Sequence, residues 1–442
     1  MGNQSIWSKC VVLALALCIS GGLSPVAAKA AKAAPKTGYK YVKPIKSTQL
    51  PRVAPESKGI SSLYLLNMVN EFEKRDIELH SLMVAVDGDV IFEGYYNPYN
   101  PDDPYIIHSL TKVFTNTAAG IAFTEGKLKF TDKVVDFFPD IVPKDANENL
   151  KAMTMFDLIT MRSGHDREIS GNEWRPLKTS WLEAFMKEPV PHKPGVKYKY
   201  SSGNSYVLSA MVQKATGMTC EALIKDRLVK KLGMAQFSWQ KSPEGICSGG
   251  TGVNSRAIRS LVQETVLTPT LADAERKYDG KYAKALKTKG ELLNVLPLAT
   301  VFASPVAEKI NGKTFAIAEN PDGIKEITLT FTDKSVTYTM KDARGTHSVV
   351  NGIGSWIAGA TSMTGNYLHH QYQNESQKVV ASAQWRDDNT LTMIWTYPEM
   401  AFRDFLTIKL TDKDISMVRS VNVNSKGKFG GLVRPEVTGK TR

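Results

Sequence analysis

The sequence predicts an α+β region followed by an all-β C-terminal domain, which is either a barrel or a sandwich. The chain has 442 residues, more than a single hydrophobic core usually supports, so two folded domains are expected. Its early part has one pair of strand-like runs followed by helical patterns. From about Lys313 onward, short runs of alternating apolar and polar residues replace the helical patterns.

The N-terminus carries the pattern of a secretory signal. Lys9 precedes the apolar run Val11–Leu17, and Val26-Ala27-Ala28 follows the small-x-small rule for cleavage. The apolar run is shorter than the roughly 20 residues that a membrane-spanning helix needs, so a membrane anchor is the weaker alternative. We therefore predict that residues 1–28 form a signal peptide and that the protein is periplasmic or secreted.

The formal net charge of +12 is concentrated near the N-terminus, because seven basic residues from Lys29 to Arg52 precede the first acidic residue, Glu56. A stretch rich in Lys, Ala and Pro buries little apolar surface. Residues 29–48 are therefore predicted to be a basic disordered spacer that associates weakly with an anionic cell surface. The rest of the chain is nearly balanced in charge, which argues against a nucleic-acid partner.

After removal of the predicted signal, Cys220 and Cys247 are the remaining cysteines. In an oxidising compartment they either form a disulfide or stay free, and the sequence leaves both alternatives open. No Cys or His spacing is typical of a metal site, and the adjacent pair His369-His370 is expected on a loop. Neither a metal nor another cofactor is predicted.

A tight turn and a series of helical patterns define the first domain. Residues 82–86 and 90–93 favour β-structure and flank Asp87-Gly88-Asp89, which predicts a hairpin. Apolar residues at helical spacing predict a buried helix that begins at Ser109 and ends at Gly126, and further helices at 151–163, 179–187 and 205–217. We place this domain at residues 49–255 and a helical linker region at 256–310.

The C-terminal β domain is placed at residues 311–442. Its alternating runs are separated by turn-like sequences, as in antiparallel barrels and sandwiches. The clearest of these runs are Ile327–Phe331, Val336–Thr339, Thr390–Trp395 and Leu406–Ile408. None of them has a pattern that indicates catalysis.

The most informative motif for chemistry is Ser109-Leu110-Thr111-Lys112. A separation of three residues puts the hydroxyl and the amine on one face of a helix. A buried amine can accept the serine proton, and a backbone amide near the helix N-terminus can stabilise the resulting oxyanion. The structural alternative is that Ser109 simply caps the helix.

The context of this motif resembles the serine β-lactamase and penicillin-binding-protein superfamily, especially its class C-like esterases, peptidases and aminohexanoate-oligomer hydrolases. A second motif, Tyr200-Ser201-Ser202-Gly203-Asn204, precedes another predicted helix. Between these motifs and around them, short segments follow the order found in that superfamily: Pro51-Arg52, Ser61-Ser62, Leu79-His80-Ser81, His108-Ser109, Glu125-Gly126-Lys127-Leu128, Phe137-Phe138-Pro139, Met161-Arg162-Ser163-Gly164-His165 and Pro194-Gly195.

The resemblance implies a role for each candidate residue. Ser109 would form the acyl-enzyme, Lys112 would help to activate it, and Tyr200 would transfer protons, although an aromatic residue before a helix can also merely pack. Ser202 stands where many relatives carry Asn, which argues against ordinary β-lactamase specificity. Ser202 or Asn204 would bind a substrate amide, or else satisfy a local turn.

The resemblance is incomplete after Gly245–Gly252. Between Val253 and Ile310 no Lys-Thr-Gly or His-x-Gly motif precedes a convincing strand, and Lys287-Thr288-Lys289-Gly290 has helix-like surroundings. In the superfamily this third motif borders the serine on an edge strand and contributes to the oxyanion hole. Its absence would leave an open sheet edge unless the C-terminal domain, the linker helices or a partner chain covers it.

Two functions therefore remain open. The first is an exported serine hydrolase that cleaves an amide or ester bond of a small-molecule or peptide-like substrate through an acyl-enzyme on Ser109. The second is a degenerate hydrolase that binds its ligand without turnover. A lipase-type enzyme is disfavoured because the sequence has no Gly-x-Ser-x-Gly elbow. The sequence does not indicate an oligomeric state.

Overall fold

A computed structural model describes residues 50–99, 101–169, 173–234, 237–248, 266, 280–297, 303–372, 374–423 and 432–442. These ranges confirm the predicted fold class, since a helical region with a small sheet is followed by an all-β barrel. The predicted signal peptide (1–28) and spacer (29–48) lie outside the described residues, as does much of the predicted linker region.

The first region begins with a helix and a hairpin. Ser61 caps helix α1 (Ser62–Lys74) by accepting a hydrogen bond from the Leu63 amide. Strands β1 (Ser81–Val86) and β2 (Asp89–Tyr95) pair antiparallel. Asp87 and Gly88 between them both have positive φ, 50° and 83°, as the tightest hairpin turns require.

The hairpin forms a sheet of two strands within the described residues. One face is covered by α1, and the outer side of β2 receives a backbone bridge from Arg52 to Val90. A later helix, α10 (Ala283–Glu291), packs against α1 and β2. In the described part of the chain, β1 makes its ladder with β2 alone, so the sheet ends at β1.

The helical core lies between the hairpin and the barrel in the sequence. Its helices are α2 (Thr111–Thr124), α3 (Val134–Phe137), α4 (Glu148–Ala152), α5 (Met155–Ile159), α6 (Trp181–Met186), α7 (Ser202–Thr216), α8 (Cys220–Ile224) and α9 (Lys230–Leu232). Helices α2 and α7 pack against each other, and α7 is almost entirely buried. Cys220 and Cys247 are both free and buried here.

The prediction of one helix at 151–163 was wrong. The chain forms α4 and α5, which are separated by Met153 and Thr154 in extended conformation. Thr154 and Asp157 make a capping box, in which each side chain bonds the other residue's backbone N–H, so a new helix begins at Met155. The local capping chemistry therefore overrides the apolar periodicity that predicted a continuous helix.

The C-terminal domain is a barrel preceded by helix α11 (Pro305–Ile310). Its strands are β3 (Thr314–Ile317), β4 (Glu326–Phe331), β5 (Ser335–Asp342), β6 (Gly345–Ile353), β7 (Ile357–Thr361), β8 (Gln377–Trp385), β9 (Thr390–Thr396), β10 (Arg403–Leu410), β11 (Asp414–Val421) and β12 (Val437–Thr441). The sheet order is β6-β5-β4-β3-β12-β11-β10-β9-β8-β7, and a parallel pairing of β6 with β8 closes it. Closure removes most of the open edges that a flat sheet would present.

Candidate active site

Ser109 lies in a short 3₁₀ turn, His108–Leu110, that leads directly into α2. His108 has a positive φ of 44°, which is uncommon for a residue with a side chain. Ser109 is half-buried, and its side chain caps neither the turn nor α2. The capping alternative therefore does not describe this serine.

The Ser109 hydroxyl contacts two side chains that can move protons. Its Oγ lies 2.6 Å from the hydroxyl of Tyr200, and the Lys112 Nζ donates to it at 3.1 Å. The same Nζ lies 4.9 Å from the centre of the Tyr200 ring. Lys112 is buried, whereas Ser109 and Tyr200 are half-buried.

A further pair of hydrogen bonds extends this arrangement into a chain. The Lys112 Nζ also donates to the Ser202 Oγ at 3.1 Å. The Ser202 hydroxyl in turn donates to the Glu168 carboxylate, again at 3.1 Å. We refer to Ser109, Lys112, Tyr200, Ser202 and Glu168 as the catalytic cluster. No sequence signal marked Glu168, because an exposed acidic residue in a loop is common.

The start of α7 explains how Glu168 reaches this cluster. The Ser201 hydroxyl accepts a hydrogen bond from the Ile169 amide at 3.1 Å, and the Gly203 amide donates to the Ile169 carbonyl at 2.8 Å. A Cβ at Gly203 would lie 3.2 Å from Ile169 atoms and from the Phe185 ring. This close contact leaves little room for a side chain at position 203, and it holds the loop that carries Glu168 against the start of α7.

Asn204, the other predicted substrate-binding residue, is not part of the cluster contacts. It is fully buried in α7, and its Nδ2 lies 3.7 Å from the Met161 sulfur. Its Oδ1 has no hydrogen-bond partner in the described ranges. The Asn204 side chain thus lies in the protein interior. Ser202, by contrast, contacts Lys112 directly.

Residues of the C-terminal domain contact the segment that leads to Ser109. The Tyr372 hydroxyl lies 3.4 Å from His108 Nδ1, and the Ile106 amide donates to the Glu399 carbonyl at 2.9 Å. Lys378 and Asp103 form an ion pair. Burial, with help from the cations Arg175 and Lys112, lowers the pKa of His108 to about 4. The segment that leads to Ser109 is therefore bound by the barrel and carries a neutral imidazole at neutral pH.

The third-motif strand is not found among the described residues, and Lys287-Thr288-Lys289-Gly290 lies on α10. Lys289 forms an ion pair with Glu73 of α1 and makes no contact with the catalytic cluster among the described residues. Over the same described ranges, no group of three or more His, Cys, Asp or Glu side chains is arranged to hold a metal ion. No helix in those ranges is both long and apolar enough to span a membrane.

Penicillin-recognising serine hydrolases combine a helical region and a sheet with a serine that precedes a lysine by three residues. This chain has that combination, and its serine also contacts a tyrosine. The family model Beta-lactamase matches residues 67–304, which is more than half of the chain. The chain belongs to this family.

Curated relatives match only part of this chain. Protein flp from Staphylococcus aureus is 25% identical over 185 residues, which cover 39% of this chain and 37% of that protein. A putative D-alanyl-D-alanine carboxypeptidase from Salmonella agona is 25% identical over 140 residues, covering 29% of this chain and 32% of the relative. This chain therefore spans only about a third of the length of each of these relatives.

Solved structures of the same superfamily are similar at low identity. The octameric penicillin-binding protein homologue from Pyrococcus abyssi has a TM-score of 0.34 and 15% identity, covering 85% of this chain and 99% of that one. A putative 6-aminohexanoate-dimer hydrolase from Bacillus anthracis has a TM-score of 0.35 and 14% identity, covering 63% and 72%. At these values the likeness carries no functional inference.

Proposed function

We propose that this protein is an exported serine hydrolase that cleaves an amide or ester bond through an acyl-enzyme on Ser109. The observation that carries the proposal is the position of the Ser109 hydroxyl within hydrogen-bonding distance of both the Lys112 amine and the Tyr200 phenol. A nucleophile in contact with proton acceptors is the usual arrangement for covalent catalysis.

In the proposed acylation step, the Ser109 Oγ forms a bond to the substrate carbonyl carbon, and its proton passes to the phenolate of Tyr200. The bond from that carbon to the leaving nitrogen or oxygen then breaks, and the leaving group takes up the proton. Water attacks the acyl-enzyme in the second step, releases the acid and restores the serine. Tyr200 and Lys112 are both in contact with the Ser109 oxygen and therefore serve both steps.

Glu168 contributes through Ser202 rather than by contact with the nucleophile. Its carboxylate accepts from Ser202, which accepts from the Lys112 amine. A carboxylate at this position favours the charged form of Lys112 and fixes its orientation. An ammonium beside the Tyr200 ring stabilises a phenolate, so we assign the role of general base to Tyr200 and that of electrostatic support to Lys112.

The oxyanion would be stabilised by backbone N–H groups at the start of the helix. The first amides of a helix lack intrahelical acceptors and lie at the positive end of its dipole. Ser109 lies in the turn that leads into α2, so its amide is the donor we assign. Typical mutational effects of one such donor are about 10²–10³ in rate.

A fluorophosphonate probe tests the proposal directly. We expect the wild-type protein to be labelled, with mass spectrometry locating the adduct on Ser109, and the Ser109→Ala variant to remain unlabelled. N-terminal sequencing of protein recovered outside the cytoplasm of the expression host should begin near Lys29. An adduct located on another serine, or none at all, would contradict the assignment of Ser109.

A catalytically degenerate binding protein is the second candidate, and the small sheet favours it. Within the described residues β1 has β2 as its one ladder partner, so an edge strand bearing a third motif is not found beside Ser109. For this candidate we expect ligand affinity to be the same in wild type and in Ser109→Ala, with no adduct in the wild type.

A further inference from the structure

Three phenylalanine side chains form an exposed cluster on the helical region. Phe123 belongs to the last turn of α2, Phe130 to the loop after it, and Phe156 to the first turn of α5. The rings of Phe123 and Phe130 stack with their centroids 4.5 Å apart, and the ring of Phe156 meets Phe130 edge-on at 5.9 Å. Each residue nevertheless exposes 42% to 49% of its surface. We refer to these three residues as the phenylalanine patch.

The backbone around the rings belongs to the packed part of the helical region. The Phe156 amide donates to the Phe130 carbonyl at 3.1 Å, and the Met155 amide donates to the Asp132 carbonyl at 2.9 Å. The neighbouring side chains of Leu128 and Met155 are buried in the helical core. Single exposed apolar residues are common on proteins, but contiguous ones on a fixed surface mark a site of interaction.

Positive charge borders the phenylalanine patch. The exposed residues Lys127 and Lys129 lie between Phe123 and Phe130 in the sequence, and the exposed Lys133 follows them. Lys129 forms no ion pair within the described ranges, so its ammonium is available to an external anion.

The two acidic residues of the same segment are occupied within the protein. Glu125 forms ion pairs with both Lys127 and Arg227, so one carboxylate faces two cations. The carboxylate of Asp132 accepts a hydrogen bond from the Lys129 amide. The border of the patch therefore carries more positive than negative charge, which is complementary to an anionic surface.

We propose that the phenylalanine patch inserts into the surface of an anionic lipid bilayer, with the bordering lysines against the lipid phosphates. Apolar rings beside lysines are typical of proteins that lie on a bilayer surface. A lysine can lay its methylene groups along the rings and still keep its ammonium at the level of the phosphates. Lysine is depleted in protein–protein interfaces, so its presence here favours a lipid surface over a protein partner.

The phenylalanine patch and the catalytic cluster are separate surfaces. Ser109 lies in the turn before α2, whereas Phe123 lies in the last turn of that helix. The rise along the helix therefore separates the two residues by about 20 Å. Binding to a bilayer through the patch is thus independent of whether Ser109 supports turnover.

Vesicle sedimentation tests the inference at about 0.15 M salt, where weak surface electrostatics are screened. Wild type is compared with Phe123→Ser/Phe130→Ser/Phe156→Ser on vesicles of equal parts phosphatidylglycerol and phosphatidylcholine, and on vesicles of phosphatidylcholine alone. We expect wild type to prefer the anionic vesicles. The triple variant should bind them at least about tenfold more weakly, because the three rings no longer leave water on binding. Both proteins carry the same basic N-terminal residues, so any attraction by those residues is equal.

A second triple variant is the matched control. Leu292→Ser/Val350→Ser/Val433→Ser also removes three exposed apolar side chains, but these lie on different elements of the described structure. The control should keep the wild-type affinity for anionic vesicles. Circular dichroism would verify that each variant is folded.

Insertion is measured separately by the fluorescence of Phe130→Trp on anionic vesicles whose phosphatidylcholine carries brominated acyl chains. Quenching beyond that of a Leu292→Trp control supports the inference, and equal quenching refutes it. The inference also fails if wild type does not bind, if it binds both vesicle types equally, or if the patch variant binds as tightly as wild type. A dimer of wild type that the patch variant lacks, seen by sedimentation velocity, would overturn it in favour of a second copy of this chain.

Discussion

The helical region and the barrel each contain a cluster of buried polar side chains, but the two clusters differ in how their charges are satisfied. In the barrel, the Asp404 carboxylate contacts His369 Nε2 at 2.7 Å and forms an ion pair with Arg419, and the Asp404 side chain is fully buried. In the helical region, the Lys112 amine contacts the hydroxyls of Ser109 and Ser202.

The difference separates a structural cluster from a reactive one. Burial disfavours the charged form of Asp404, but Arg419 and His369 outweigh it and hold its pKa below the ordinary value. A carboxylate that is paired with such partners stays ionised over a wide pH range. Hydroxyls beside an amine exchange protons easily, and Ser109 is only half-buried. The predictions below test whether one cluster supports turnover and the other supports stability.

The largest effect is expected for Ser109→Ala. Loss of the nucleophile should reduce hydrolysis of a thioester or activated ester by about 10³-fold or more, as in other serine hydrolases. The urea midpoint should stay within a few tenths molar of wild type, because the half-buried hydroxyl makes no cap. Ser209→Ala is the control, since Ser209 is a buried serine on α7 whose hydroxyl has no partner in the described residues. A similar activity loss in the control would contradict the assignment.

Asp404→Asn should mainly reduce stability, whereas Ser109→Ala should mainly reduce activity. Removing one partner of a buried ion pair leaves an uncompensated charge on Arg419 and typically costs about 3–5 kcal/mol of folding free energy. Urea unfolding followed by tryptophan fluorescence would measure it, because Trp395 lies in the barrel core close to Arg419. A variant as stable as wild type would show that the pair is not a structural element.

Tyr200→Phe tests the proton-transfer role while keeping the ring. We expect hydrolysis to fall by about 10²-fold, within the usual range for a general base, with little change in stability because the hydroxyl is only half-buried. Tyr198→Phe, at a more exposed tyrosine of the same loop, is the comparison. Equal activity of wild type and Tyr200→Phe would favour the alternative that Tyr200 merely packs.

Glu168→Gln should lower kcat by about tenfold, as expected for a group that acts through Ser202 and not on the substrate. Glu168→Asp should restore part of the rate. If Glu168→Gln and Ser202→Ala were fully additive, the two residues would not act as one unit.

His165 gives the smallest expected effect at neutral pH, because its contribution appears only below about pH 6.5. Burial lowers its pKa to about 4, whereas an unfolded chain binds this proton near pH 6.5. The unfolded state therefore binds more protons between these values, so this residue reduces stability as the pH falls from about 6.5 to 4. Over that range, the unfolding constant of wild type should rise with falling pH more steeply than that of His165→Gln. The difference between the two should be at most about tenfold per pH unit. An unchanged dependence would contradict the lowered pKa.

Much of the fold could be predicted from local patterns. The turn at Asp87-Gly88 and the strands on either side of it follow from adjacent residues, and the structure agrees with the hairpin. The apolar spacing after Ser109 predicted α2 to within two residues at each end. Strands such as β8 and β11 were missed, because their sequences alternate less clearly than those of β4 and β9.

The sequence by itself determined that Ser109 and Lys112 share one face, because three residues of separation along a helix bring side chains together. Only the tertiary structure decided the rest of the site. Tyr200 reaches Ser109 across 91 residues, and Arg175 reaches Tyr372 across 197. Such contacts depend on how α2, α7 and the barrel pack, and periodicity within a helix or strand carries no information about partners that are distant along the chain.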